Sequence, residues 1–320
     1  MLEIVKPGLE TSVQDYPGRI GYWAQGFPPS GPMDSWSFRL ANRLVGNAPG
    51  AAALECQFLG PTIRFRDERT IAITGAEMDP RLDGEPVPMW ESIAVRAGQE
   101  LALTFARAGA RAYIAVAGGI DTPPWLGSRS TFHKAGVGGM DGHAVKAGQI
   151  VPVGAAPQRV SLRVPEARRP PVSRDKRWVI EAVRGPNDDW IDDAGHERFT
   201  TAEWKLSGKS DRTGFRLEGP EWTFTAKALN KAPEHGSEPS NIIDQGYPLG
   251  AVNLSGQTPI ILVHDGPSMG GFICPYTIAS AAFWKLGQSK PGDVYRMKVV
   301  SVAEAQALRR DLDRIAGAEI

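Results

Sequence analysis

Acidic, basic and hydroxyl side chains gather in turns at two places in this sequence. Gln14-Asp15-Tyr16-Pro17-Gly18-Arg19 and Pro29-Ser30-Gly31-Pro32-Met33-Asp34 bring Asp15, Arg19, Ser30 and Asp34 into one short stretch. Ser210-Asp211-Arg212-Thr213-Gly214 repeats the combination further on, ahead of His264-Asp265-Gly266-Pro267-Ser268-Met269-Gly270-Gly271. An arginine fork holds a carboxylate through two parallel hydrogen bonds, and an aspartate accepts from amide N–H groups. The same residue types also make loop-fixing ion pairs and Asx turns, so the residues by themselves leave both readings open.

Gly266-Pro267-Ser268-Met269-Gly270 is a literal GxSxG after an apolar run. A nucleophile elbow needs a helix next and a histidine later in the chain. His264 is the last histidine, and Gly271, Phe272 and Pro275 interrupt the following segment. The pattern therefore does not read as a serine hydrolase. Glycines at these positions would let main-chain N–H groups approach an anion or a developing oxyanion, or would simply form a tight turn. His133, His143, His196, His235 and His264 lack the spacing of metal ligands, so no metal is expected. Gly136–Gly142 is rich in glycine but lacks the Lys-Ser/Thr of a Walker loop, so ATP is not expected on this chain. Cys56 and Cys274 are too few for a disulfide framework or a cysteine-rich zinc site.

The elements that must position these residues are mostly short strands between Gly- and Pro-bearing turns. Strands are expected over Pro61–Phe65, Thr70–Thr74, Leu101–Phe105, Tyr113–Ala117, Trp178–Ala182, Thr223–Leu229, Pro259–Val263 and Val294–Val300. Helices are expected after Asp34 or Ser35 through Val45, over Tyr276–Leu286, and over Val302–Ile315. This strand-and-turn pattern predicts a mainly β protein, and 320 residues with 36 Gly, 26 Pro and 42% hydrophobic residues predict a turn-rich chain with two cores. Thirty-six basic residues balance 36 acidic ones, arguing against a nucleic-acid surface. No apolar run has the length of a membrane span, and the first residues lack a signal-peptide pattern, so a cytoplasmic protein is expected. Pro157, Pro165, Pro170 and Pro171 with Arg168 and Arg169 predict a solvated linker between about Ala155 and Lys176. The expected domains are then 1–158 and 177–320, joined by a linker over 159–176.

The stretches TSVQDYPGRIGYWAQGFPPSGPMDSWSFRLANRLVGN, ITGAEMDPRLDGEPVPMW and AVAGGIDTPPWLGSRSTF resemble the second carboxyltransferase segment of urea carboxylase and urea amidolyase, also called allophanate hydrolase subunit 2. SDRTGFRLEGP, PSNIIDQGYPLGAVNLSGQTPIILVHDGPSMGGFICPYTI and WKLGQSKPGD extend the resemblance almost to the C-terminus. It implies two cyclophilin-like β-barrel domains and a place in a biotin-dependent carboxylase. Carboxybiotin on a carrier partner would deliver its carboxyl group to a nitrogen of a small amide such as urea or guanidine. A partner biotin carboxylase would use the ATP, and a subunit-1-like carboxyltransferase would share the site, leaving this chain inactive alone.

On that resemblance Asp211, Arg212, Ser268, Gly270 and Gly271 would be catalytic, while Asp15, Arg19, Ser30, Asp34, Arg129 and Asp265 would bind substrate. Replacing Arg212 by alanine would then abolish transfer with the melting temperature nearly unchanged. The same resemblance extends to the third subunit of the ATP-dependent 5-oxoprolinase and to a non-catalytic regulator that binds a subunit-1-like inhibitor. The urea carboxylase reading is preferred on the GYWAQGFPPSGPMD and HDGPSMGGFICPYTI forms.

Overall fold

A computed structural model describes residues 1–156 and 160–317, and the chain divides into two compact units. The first takes in Met1–Tyr22, Pro29–Val172 and the residues from Leu312 on; the second takes in Trp23–Pro28 and Ser173–Asp311. Pro157 and the 158/159 boundary lie outside the described residues. Much of the stretch expected to be a linker is built into the first unit. Val164 is fully buried beside Phe38 and Trp90, and the indole N–H of Trp36 donates to the Arg168 carbonyl at 3.0 Å.

In chain order the first unit begins with β1 (Leu2–Lys6), β2 (Glu10–Gln14), α1 (Ser35–Leu44), β3 (Ala53–Gln57), β4 (Thr62–Phe65) and β5 (Arg69–Gly75). It continues with β6 (Arg81–Leu82), β7 (Glu85–Pro86), β8 (Ile93–Val95), β9 (Glu100–Ala102), β10 (Arg111–Val116) and β11 (Ile150–Val151). One sheet runs β11-β1-β4-β9-β6-β7, the other β2-β3-β10-β5-β8. Leu2, Ile4, Ile63, Phe65 and Leu101 from the first meet Val13, Leu54, Ile71, Ile73 and Ile114 from the second in one core. The other face of the five-stranded sheet is covered by α1, whose Phe38, Leu40, Ala41 and Leu44 pack on Ala53, Ala72, Tyr113 and Ala115. With both faces covered, β10 is buried at every position, which is why it reads as an apolar run from Ala112 to Val116, after a buried Arg111 that lies 3.5 Å from Glu55.

Asp34 is the N-cap of α1. Its Oδ1 accepts from the N–H groups of Trp36 and Ser37, each at 3.0 Å, and its Oδ2 from the Ser37 hydroxyl at 2.5 Å. Asp34→Ala is expected to cost about 0.5–2 kcal/mol. Thermal unfolding should register this as a drop of a few degrees, and an unchanged midpoint would show that the cap contributes nothing.

The second unit contains β12 (Arg177–Arg184), α2 (Asp193–Thr201), β13 (Trp204–Leu206), β14 (Gly214–Glu218), α3 (Ala226–Leu229) and β15 (Asn241–Gly246). There follow β16 (Ala251–Ser255), β17 (Thr258–Leu262), β18 (Met269–Phe272), β19 (Tyr276–Ile278), α4 (Phe283–Gln288) and β20 (Val294–Val299). Its strands close into a seven-stranded barrel ordered β12-β19-β16-β17-β14-β13-β20, sealed by parallel pairing of β12 with β20. Trp178, Ile180 and Ala182 alternate with more exposed neighbours along β12, the period-2 pattern of a strand with one buried face. A separate two-stranded ribbon is formed by β15 and β18. The last helix, α5 (Val302–Gly317), ends in the first unit, where Asp313 pairs with Arg39 at 2.6 Å.

The mainly β architecture is as expected, with two local corrections. Thr223–Leu229 is not a strand: Thr225 precedes the single helical turn of α3. Tyr276–Leu286 is not one helix but β19, a 3-10 turn over Ser280–Ala282 and then α4. Short apolar runs do not distinguish the two periods. No helix among the described residues is long and apolar enough to cross a membrane.

Candidate functional site

In the first unit Asp15 follows β2 directly, and its carboxylate is surrounded by donors from one turn. The hydroxyls of Ser128 and Ser130 donate to Oδ1 at 2.5 and 2.6 Å, and the main-chain N–H of Arg129 donates to Oδ2 at 2.7 Å. Arg19 is buried over the Trp125 ring at 4.8 Å and donates from Nη2 to the Ser130 carbonyl at 2.8 Å. The Arg129 side chain turns away to Asp121 at 2.7 Å. Asp15, Arg19 and the Arg129 backbone therefore converge on residues 125–130.

The glycine run 136–142 lies against that turn, since a Cβ on Gly138 would sit 2.1 Å from the Ser130 carbonyl oxygen. Its glycines serve close backbone packing.

Ser30 is fully buried with φ 55°, and its hydroxyl has no hydrogen-bond partner among the described residues. The loop that carries it is fastened from below. Gly31 N–H donates to Gln14 Oε1 at 3.0 Å, Met33 N–H to Glu55 Oε2 at 2.8 Å, and Asp34 N–H to the Tyr113 hydroxyl at 2.8 Å. That hydroxyl donates onward to Glu55 Oε2 at 2.8 Å, and Arg111 lies 3.5 Å from Glu55 Oε1 with both side chains 3% exposed. Burial, then the charges of Glu55 and Asp34, push the Tyr113 phenol well above its ordinary range, so it stays a donor. Glu55 and Tyr113 were missed in the sequence, although a glutamate inside the apolar run Ala-Leu-Glu-Cys was a signal.

In the second unit Arg212 and Asp265 meet as a buried pair. Arg212 Nε donates to Asp265 Oδ2 at 3.0 Å, their side chains are 6% and 3% exposed, and Asp265 N–H donates to the Arg212 carbonyl at 2.8 Å. Asp265 Oδ1 is buried with no hydrogen-bond partner among the described residues. Asp211 next door is exposed and accepts from Thr213 N–H at 2.7 Å and Gly214 N–H at 3.3 Å, an Asx turn that opens β14.

Gly266 rests on the Thr213 carbonyl, 2.9 Å from where a Cβ would stand. The turn therefore brings together Asp211, Arg212, Asp265 and Gly266. Ser268, Gly270 and Gly271 continue from it into the β15–β18 ribbon, where Tyr247 N–H donates to the Ser268 carbonyl at 2.8 Å. A strand follows Ser268 where a nucleophile elbow would have a helix. Burial raises the Cys274 thiol to about 11, so at neutral pH it is no thiolate nucleophile. No cluster of three or more His, Cys, Asp or Glu suited to a metal occurs among the described residues.

Buried Arg212 with Asp265 offers charge and a carboxylate oxygen that has no hydrogen-bond partner among the described residues. Residues of these types can orient a planar amide and stabilise developing charge.

Comparisons with known proteins place this chain in a family. The model of the carboxyltransferase domain, subdomain A and B, matches residues 25–299. The Saccharomyces cerevisiae urea amidolyase is 40% identical over 319 residues, covering 98% of this chain and 17% of that protein. A 5-oxoprolinase subunit of Escherichia coli is 34% identical over 318 residues, covering 98% of this chain and 96% of that one. Among solved structures the K. lactis urea amidolyase superposes with TM-score 0.94 at 40% identity, over 98% of this chain and 20% of that one. The chain thus spans about a sixth to a fifth of the urea amidolyases it matches. The chain belongs to the carboxyltransferase domain family, subdomains A and B.

Proposed function

We propose that this chain is the carboxyltransferase component of a biotin-dependent carboxylase that carboxylates a nitrogen of urea or guanidine. The observation carrying the reading is the likeness to urea amidolyase over 98% of the chain at TM-score 0.94. The residues fit the chemistry, because the unpartnered Asp265 Oδ1 can accept an N–H from a ureido or amide group. Carboxybiotin, delivered by a partner's carrier, supplies the activated carboxyl group.

Arg212 holds the Asp265 carboxylate in place, and Asp265 Oδ1 accepts from the planar nitrogen compound. Gly270 and Gly271 bring main chain to it without a Cβ, while Asp211 and Ser268 shape the two turns. In the first unit Asp15 and Asp34 order the loops that carry Arg19, Ser30 and Arg129. The two halves, 1–158 and 177–320, act as paired carboxyltransferase domains with a subunit-1-like partner and are inactive without it. Their setting is the cytoplasm, and ATP is consumed by the partner carboxylase.

A second reading, a subunit of a 5-oxoprolinase, is favoured by the match to 96% of the E. coli subunit. A pull-down of the tagged chain from its native lysate, blotted with streptavidin, separates them. A co-eluting biotinylated protein and urea- or guanidine-stimulated ATP turnover are expected. A stoichiometric partner without biotin, with turnover driven by 5-oxoproline, overturns the carboxylase reading.

A further inference from the structure

The ribbon carrying Gly270 and Gly271 is held by side chains where main-chain pairing gives out. β15 and β18 pair at Asn241↔Phe272, Gln245↔Gly270 and Gly246↔Met269, with a register shift between Asn241 and Gln245. Ile242–Asp244 therefore bow away, and the ladder is interrupted beside Phe272. Tyr247 fills the interruption. Its hydroxyl accepts from Phe272 N–H at 2.7 Å and donates to the Phe272 carbonyl at 2.9 Å, doing at one residue what a neighbouring strand would do.

Around it Gln245 Nε2 donates to the same carbonyl at 3.2 Å and to Asn187 Oδ1 at 2.8 Å. Asn187 Oδ1 also accepts from Cys274 N–H at 2.7 Å. The Tyr247 ring is 5% exposed among Ala251, Leu262 and Cys274. It also underlies Gly270, where a Cβ would stand 3.1 Å from Cε2. One side chain thus sets both the height of the strand at Gly270 and its hydrogen bonding two residues on. Burial raises the phenol to about 12, so the hydroxyl keeps its proton at working pH.

We infer that Tyr247 is a positioning residue that fixes the backbone of Gly270–Phe272 for carboxyl transfer, with Gln245 and Asn187 as its braces. The assignment to transfer rests on the carboxylase reading above; the latch itself does not. Tyr247→Phe keeps the ring over Gly270 and removes both bonds to Phe272. In hydrogen-exchange mass spectrometry of the partner-assembled enzyme, the peptide spanning residues 266–275 should exchange at least ~10-fold faster, with barrel peptides unchanged. In the same assembly kcat for urea or guanidine should fall ~10- to 100-fold with KM within about twofold, because displaced backbone loses transition-state contacts.

Gln245→Ala, which leaves Tyr247 in place, should move both readouts the same way by less. Unchanged exchange in Tyr247→Phe overturns the latch. Faster exchange with unaltered kcat makes the latch purely structural and overturns the positioning role. A wild-type assembly that turns over neither urea nor guanidine removes the carboxylase reading and the transfer assignment with it, while the exchange data still decide the latch.

Discussion

Arg212→Ala is expected to destabilise the second unit by about 3–5 kcal/mol, because it leaves the Asp265 carboxylate buried without its cation. Asp265 already has one oxygen without a partner, so the substitution removes the Arg212 Nε donor from the other. This revises the expectation drawn from the resemblance, under which the variant would lose transfer at nearly constant melting temperature. The physical reason is burial: an exposed pair is worth little, while breaking a buried one strands a charge. Denaturant unfolding should show a lowered midpoint, and the double variant Arg212→Met with Asp265→Leu should recover most of the loss. An Arg212→Ala protein as stable as wild type would mean that Asp265 finds water or another donor when the arginine is gone.

The comparable experiment in the first unit is Glu55→Ala. It takes the acceptor away from Met33 N–H and the Tyr113 hydroxyl and the counter-charge away from buried Arg111. A loss of about 3–5 kcal/mol is expected, and Glu55→Gln should lose less because it keeps an acceptor. The loop from Ser30 to Asp34 should loosen with it, since two of its N–H groups are bonded into this network. Proteolysis at residues 29–34 would detect that loosening, and equal protection in variant and wild type would dissociate the network from the loop.

Strands with a clear apolar signature were legible in the sequence: β4, β5, β10, β12, β17 and β20 all lie close to where the pattern put them. So was α1, because Asp34 announces its own cap. β1 and β2 were not, since Leu2–Lys6 and Glu10–Gln14 mix charged and hydroxyl residues whose burial depends on partners far along the chain.

The same limit applies to the site. The turns containing Asp15, Arg19, Arg212 and Asp265 stood out by residue type, yet no spacing rule joins Arg212 to Asp265 or Asp15 to Ser128. Tyr247 was invisible for another reason. Its role comes from a bulge next to the Asn241↔Phe272 pair, where a side chain bonds the Phe272 N–H and carbonyl, and a bulge in a Gly-rich ribbon has no sequence period.

The barrel's seam has a consequence for biosynthesis. β12 is the first strand of the barrel to leave the ribosome and β20 the last, yet they lie side by side along six residue pairs. During vectorial synthesis β12 waits with its edge bare while the rest of the barrel is translated, and bare edges invite pairing with other chains. A nascent chain stalled before Val294 would carry every other barrel strand and still be open. Emergence of β20 from the ribosome, more than any local element, is the event that commits the second unit to its final form.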